Sequence, residues 1–576
     1  MVNWEVGATK HHCWRRRAFP TSYLFMLFTR FTCFCVVLGW FVCAPAPLRA
    51  AQFYNNWAAT YLTNYPGQTG PLADPDEDGE MNLVEFAFGT DPRAPGGIAG
   101  AMNSLSGGTS GTNVEFAVQV LEREGHQPGA QIDLDLSASL TNWFRPWWLR
   151  VTTNALPSDP TNSVRELFST RLPGTNMWFV RSRVQLIEAG PVTAKYYVAT
   201  NGSDGYSGTN ITQPFATLTN AVSRANPDDL IYVCGGTYNW TARVLISRSG
   251  NAAQPIRVRA YPGERPVLNF SGQTLGTRGI EITGHWWRLC GLEIAGAGDN
   301  GIFIRGNSNV VEQCITRECR DSGFQIDNAG SYNLILNCDS YRNYDPNNYG
   351  ENADGFAAKF AVGRGNVFEG CRAWENSDDG WDLWQATNTV VISNCWTWRN
   401  GIDFWGAGAN FAGDGNGFKL GGNYYAGAHF LINSVSFGNP HAGIDQNNNL
   451  GVLTVDNCTV WANGGRNINL NHPTNVIPHV VRNNLSIAGG SSDAFNSGAL
   501  LTNNSWQVLS SAATANDVLS TNAAFAIAPR RDDGSLPETP FLRPLPGGRL
   551  VDQGVNLGAP FFGAAPDLGA FETPEW

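Results

Sequence analysis

Charge is scarce in this sequence of 576 residues. Only 15% are Asp, Glu, Lys or Arg, and the net charge is -11. That balance argues against nucleic acid as a partner, because phosphate binding needs clustered Lys and Arg. Lysine is the scarcest charged type: Lys10, Lys195, Lys359 and Lys419 are the whole complement. An anionic substrate would therefore need a local positive feature, such as a bound cation. None of the 12 cysteines forms a C-x-x-C pair, which removes the usual zinc signature. Helix signals are few. What is abundant is Gly (64), with frequent Asn, which suits many short strands joined by tight turns. Hydrophobic content of 42% and 20 Trp permit a large core.

The chain falls into four stretches. Residues 1–50 read as a secretory signal peptide. Arg15-Arg16-Arg17 is a basic start, an apolar run broken by Arg30 follows, and Ala50 offers a small residue for cleavage. A retained membrane anchor is the alternative, but the apolar run after Arg30 is short for a span of about 20 residues. Residues 51–95 hold an EF-hand-like calcium-binding loop. Asp74, Asp76 and Asp78 fall at its positions 1, 3 and 5, Gly79 at the sharp turn, Glu80 at 7, Asn82 at 9 and Glu85 at 12. The competing reading is an acidic, solvated linker. Residues 96–192 alternate like strands after a Gly/Ser-rich opening, as in Val114–Val120, Ile132–Leu136 and Trp178–Val184. They read as a small β-sandwich-like module, a spacer unless Trp143, Trp147 and Trp148 stack on sugars. Residues 193–576 form the last domain. A short helix is expected there from Pro214, with Phe215, Leu218 and Val222 on one face, and strands and turns from there on.

That last domain repeats. Apolar strands precede Cys314, Cys338, Cys371, Cys395, Ser434 and Cys458. Five residues later come Cys319, Asn343, Asn376, Asn400, Asn439 and Asn463, and then Gly323, Gly355, Gly380, Gly417, Gly443 and Gly465. The period of about 22 to 26 residues predicts a solenoid, and its unit length suits a right-handed parallel β-helix within an all-β chain. Leucine-rich repeats share the period but not the signature. The Cys and Asn columns become internal ladders, with buried free thiols favoured over disulfides.

The repeat also aligns charge. Counting from Gly301, one turn earlier, to Gly443, the residue before each Gly reads Asn300, Ser322, Asp354, Asp379, Asn416 and Ala442; the residue two after it reads Phe303, Gln325, Ala357, Asp382, Lys419 and Asp445. Asp354 and Asp379 should stack, as should Asp382 and Lys419, about 4.8 Å apart per coil. Asp378 adjoins Asp379. Carboxylates this close repel by ~4 kcal/mol per contact at intermediate dielectric. A hard cation such as calcium resolves that; a salt-bridge network leaves three carboxylates without counter-charge. Lys359, Arg364 and Tyr424 are weaker candidates for substrate contact, with Tyr425 and Trp405 as further cleft residues. His429 and His441 read as ordinary β-helix residues. An insertion before Gly417 is expected to overhang the site.

Three runs carry a family resemblance: Asn352-Ala-Asp354-Gly-Phe-Ala-Ala-Lys359, Ser377-Asp378-Asp379-Gly-Trp-Asp382-Leu-Trp384 and Asn416-Gly-Phe-Lys419. They resemble the family 9 polysaccharide lyases, as do Tyr196–Gly205 and Asp567–Glu572; the resemblance covers roughly 195–576. It implies a calcium-dependent pectate lyase on a parallel β-helix. By motif, Asp354, Asp378, Asp379 and Asp382 would hold the catalytic calcium and Lys419 would be the base. The implied reaction is β-elimination from a uronate polymer, most simply pectate. Nearby calcium and burial would push the Lys419 ammonium down towards working pH. The implied protein is secreted, free of the membrane after signal removal, and monomeric, with an acidic plant-type polysaccharide as its partner. Two rivals remain. A hydrolase on the same fold would carry Gly-His-Gly and Arg-x-Lys signatures, which are absent. A non-catalytic polysaccharide-binding β-helix would not need a base.

Overall fold

The computed structural model describes residues 194–531, 534–558 and 561–573 in full, and before them only the backbone of certain strands. The expected calcium loop, Asp74 to Glu85, lies outside the described residues, as do the side chains of the leader. Two units are distinct, one ending near Gly190 and one beginning at Pro191. In the first, Met102–Ser110 pairs antiparallel with Asn113–Arg123, Arg150–Ala155 with Ser163–Pro173, and Ala130–Ser137 with Trp178–Leu186. Among the described residues no helix is long and apolar enough to cross a membrane.

The second unit is a parallel β-helix, right-handed as parallel crossovers are. Ten coils contribute one strand to each of three parallel sheets, and the first sheet gains one more strand at either end, giving 12, 10 and 10 strands. The first sheet runs from Tyr196–Val198 to Leu500–Thr502, the second from Gly236–Asn239 to Leu485–Ile487, and the third from Val244–Ile246 to Ala494–Phe495. Strands of two to five residues suffice because each inner strand is hydrogen-bonded to the coils above and below.

The ladders set the stacking. Asn343 Nδ2 donates to Asn376 Oδ1 at 2.7 Å, Asn376 to Asn400 at 2.9 Å, Asn400 to Asn439 at 3.0 Å and Asn439 to Asn463 at 2.9 Å. Cys319 heads this column, giving its backbone N–H to Asn343. The residues expected in the other column also stack, and all eight described cysteines are free thiols. One expected rung is corrected. Ile444 pairs with Ile468, so Asn467 and not Gly465 faces Gly443. Where no insertion intervenes, as from Cys319 to Gly323, Asn376 to Gly380 and Asn439 to Gly443, the rung follows the ladder residue by four, and Asn467 stands four after Asn463. A third ladder went unforeseen, running through Asn309, Asn333 and Asn366 on the first sheet.

The glycines of the repeat are forced by close approach. A Cβ at Gly380 would lie 1.9 Å from Thr397 Oγ1, and one at Gly417 2.1 Å from Ser436 Oγ. Inside the coil Phe324, Phe356, Trp381 and Phe418 stack at 4.9, 4.6 and 5.0 Å. They alternate with the outward side chains of the same strands.

The two ends differ from expectation. The helix is only Leu218–Val222, because the Asp204 carboxylate takes the N–H groups of Ala216 and Thr217 and Thr217 caps the first turn. Pro214 therefore lies outside it. Past Thr502 the described residues form no further strand. From Ser505 on they form a strap of turns and short helices whose Val518, Phe541, Leu542 and Leu550 pack with Trp398 and Phe437 of the second sheet.

Candidate active site

The third sheet places the charged residues. Ala357 pairs with Asp382, Asp382 with Lys419, and Lys419 with Asp445, so these side chains leave one face in one column. Asp354 and Asp379 form the neighbouring column, where Asp379 N–H donates to Asp354 Oδ1 at 3.2 Å. Asp354, Asp378, Asp379 and Asp382 are all buried, at 0 to 2% exposure, and Lys359 and Lys419 are 7% exposed.

Hydrogen bonds fix the carboxylates. Ser322 Oγ donates to Asp354 Oδ2 at 2.8 Å. Asn352 N–H reaches Asp378 Oδ2 at 3.0 Å, and Asp414 N–H reaches its Oδ1 at 2.6 Å. Asn416 gives Asp379 Oδ1 both its backbone and its side-chain N–H. Trp384 N–H holds Asp382 Oδ1 at 2.9 Å. Two ammonium groups sit among them. Lys359 Nζ lies 2.7 Å from Asp354 Oδ2 and 3.0 Å from Asp382 Oδ2. Lys419 Nζ lies 3.0 Å from Asp379 Oδ2, 3.7 Å from Asp382 Oδ2 and 2.8 Å from Asp414 Oδ2.

Lys359 is thus central, where the sequence offered it only as a weak contact. Arg364 and Tyr424 are not brought to the cluster: Arg364 is exposed over the Tyr332 ring, and Tyr424 is exposed beside His472. Trp405 stacks on Tyr344 at 4.8 Å, His441 is exposed and His429 is buried. Asp414 was missed. It stands in the Gly413-Asp414-Gly415 triplet that ends the insertion before Gly417, and that position was the available signal.

Electrostatics show what the cluster wants. Burial pushes Asp354 up to about 7 despite Lys359, and raises Asp378 and Asp379. Burial alone would lower the Lys419 ammonium, but Asp379, Asp382, Asp378 and Asp414 together hold it well above the ordinary lysine range. The expected downward push on Lys419 is therefore reversed in the protein by itself, because the neighbouring carboxylates outweigh burial. Hard oxygen donors converge here: one oxygen each from Asp354, Asp379 and Asp382 lie within 4.8 Å of one another, as do those of Asp378, Asp379 and Asp414. Asp379 Oδ2 is buried, with the Lys419 ammonium 3.0 Å away. This donor set fits a hard divalent cation, and Asp354, Asp378, Asp379 and Asp382 are the residues that would hold it.

Known proteins carry the same arrangement of coils. The Pel9A-like right-handed β-helix region matches residues 196–484. The chain belongs to the Pel9A-like family. With membership comes the enzyme class: this Pel9A-like chain is a polysaccharide lyase. Pectate lyase L of Dickeya chrysanthemi is 42% identical over 391 residues, 66% of this chain and 90% of that one. The crystal structure of pectate lyase Pel9A is 41% identical with a TM-score of 0.61, covering 66% of this chain and 96% of that chain. A rhamnogalacturonan lyase structure is 30% identical with a TM-score of 0.55, over 61% and 96% of the two chains.

Proposed function

We propose that this Pel9A-like chain is a secreted pectate lyase that cleaves polygalacturonate by β-elimination, with calcium on Asp354, Asp378, Asp379 and Asp382 and with Lys419 as the base. The observation that carries this reading is the pairing of Asp382 with Lys419 on one sheet face, beside Asp354 and Asp379. Calcium bound there would draw charge from the uronate carboxylate and make its C5 proton more acidic. Lys419 Nζ takes that proton. The C4–O bond then breaks, a C4=C5 double bond forms, and the departing oxygen is protonated by water. Lys419 can act only as the free amine. The aspartates oppose that state while their charge is uncompensated, and burial favours it once they are engaged. Lys359, held between Asp354 and Asp382, keeps those two carboxylates oriented. The loop ending in Asp414 reaches Lys419 from the side and steadies its ammonium.

The remaining parts follow the sequence. The leader sends the protein out of the cell, and the mature chain is a monomer. Asp74, Asp76, Asp78, Glu80, Asn82 and Glu85 hold a second, structural calcium, and residues 96–192 act as a spacer. The test is a panel of uronans incubated with and without calcium and read by the ultraviolet absorbance of the unsaturated product. Polygalacturonate with calcium should give the signal, and a chelator should remove it. Lys419→Ala should abolish turnover while calcium still binds. Near-parental rates in that variant would refute the base assignment.

A further inference from the structure

N-terminal to the site, the third sheet carries a second charged cluster in the same columns, with three arginines around one acid. Arg278 occupies the position that Asn300, Ser322, Asp354 and Asp379 take in later coils. Glu281 occupies the position of Asp382 and Lys419, and Arg305 that of Lys359. Arg243, one coil earlier, leans onto the same Glu281. At about 4.8 Å per coil, Arg305 lies roughly 10 Å from the Lys359 level and Arg278 roughly 14 Å from the Asp354 level. That is a span of a few pyranose rings along the helix axis.

The cluster is built to present guanidinium groups. Arg243 Nη1 alone satisfies Glu281 Oε2, at 2.5 Å, and the Glu281 side chain is 4% exposed. Arg278 reaches Glu281 Oε1 only at 3.4 Å, and Arg305 only at 3.6 Å. Arg278 is further held by a long bond to Asn300 Oδ1 at 3.5 Å, with Asp299 at 3.9 Å. Asp327 is the remaining acid that feels Arg278 and Arg305. Most of the N–H donors of Arg278 and Arg305 are thus left unengaged, while their side chains are 24% and 39% exposed. Both lie over one buried ring: Arg278 Cζ is 3.5 Å and Arg305 Cζ 4.9 Å from the centroid of Phe303. A ring beneath and a carboxylate behind fix the two forks before any ligand arrives. Three cations around one buried acid repel each other, an arrangement with a purpose where an anion visits.

We propose that Arg278 and Arg305, braced on Phe303 and Glu281, form a subsite that binds a uronate carboxylate of the same polymer chain whose scissile residue lies at the Asp–Lys cluster. The proposal rests on the uronan reading above and adds a direction: the polymer lies along the helix axis, with one arm running N-terminally from the site. The planar forks suit bidentate carboxylate capture. A methyl-esterified residue, which has no charge, would not be held.

The test compares the parent with Arg305→Gln, Arg305→Lys and the Arg278→Gln/Arg305→Gln double variant. On long polygalacturonate the double variant should show KM raised roughly tenfold with kcat unchanged. On the shortest oligomer that is cleaved, and on highly methyl-esterified pectin, parent and variant should agree. Arg305→Lys, which keeps the charge, should recover part of the loss. Arg305→Gln removes a long contact to Glu281 and a half-exposed contact over Phe303, so its thermal melting should stay close to the parent and its smaller KM shift remains readable if the double variant misfolds. An equal KM shift at every chain length, or none on the polymer, overturns the subsite. Affinity electrophoresis in polygalacturonate with chelator present reads the same subsite without turnover. If the parent is retarded and the double variant is not, the subsite stands even where lyase activity on uronans is missing. Equal retardation of the two overturns it.

Discussion

His429 should make the β-helix labile to mild acid. It is fully buried in the column of the first sheet that begins with the Asn309 ladder, and its Nδ1 accepts the Val390 N–H at 3.2 Å. His479 does the same for Leu453 N–H at 3.1 Å. Burial lowers both to about 4, for His429 against the pull of the Ala386 carbonyl. An unfolded histidine titrates near 6.5. Above that pH both states are neutral and stability is unaffected. As pH falls from 6.5 to 4 the unfolded chain takes up a proton that the folded chain refuses, so stability drops by about 1.4 kcal/mol per pH unit and per histidine. The full loss is about 3 kcal/mol for each, complete below about pH 4. His429→Asn places the ladder residue of Asn309, Asn333 and Asn366 on that rung. It should remove half of the combined effect, leaving His479. The measurement is the unfolding free energy of parent and variant in urea at pH 7, 6, 5 and 4. The difference between them should shift by about 3 kcal/mol in the variant's favour across that range. Parallel curves would show that His429 is not held neutral, and the account of this column would fail.

Three further outcomes are expected. Asn400→Ala leaves both Asn376 donors without their acceptor and Asn439 Oδ1 without its side-chain donor, so it should cost about 3–5 kcal/mol in chemical unfolding; a loss under ~1 kcal/mol would mean the ladder is ornamental. Arg530 donates to the carbonyls of Cys338, Gly370 and Gly534 and to Asp339, so Arg530→Ala should open the 523–531 segment to limited proteolysis while the β-helix keeps its circular dichroism. On the proposed reading of two calcium sites, Glu85→Gln should lower the stoichiometry from two to one per chain without changing turnover, which isothermal titration and the lyase assay check separately.

The core columns were legible because a solenoid writes its register into the sequence. Each coil must present one inward Gly, one ladder Asn or Cys and one apolar triplet at matching offsets, so alignment of the text is alignment in space. The Asp382–Lys419 pairing followed from that arithmetic alone. The failures share a cause. Gly465 was placed by residue type and not by its distance from Asn463, whereas the turn counts residues. Asp414 lies in an insertion, where the period gives no coordinates. Lys359 sits one residue past its strand, beyond the two columns that the repeat alignment followed, and its ammonium lies between Asp354 and Asp382. His429 and His479 share a column with Val390 and Leu453, which hides a hydrogen-bonding role from residue type.

Inward and outward positions of one strand answer to different demands, and this separates stability from chemistry along the same sheet. Phe324, Phe356, Trp381 and Phe418 must stack, since each ring is the floor of the next coil. The residues between them have no such duty. Phe303, Gln325, Ala357, Asp382, Lys419 and Asp445 follow one another in a single outward column and share neither size nor charge. A coil can therefore change the sign of its outer surface without disturbing the ring beneath. That freedom lets an acidic, cation-fitting cluster and a guanidinium cluster occupy equivalent positions a few coils apart, at a spacing the sheet itself fixes. A polymer with a repeating carboxylate is the kind of ligand that can use both at once.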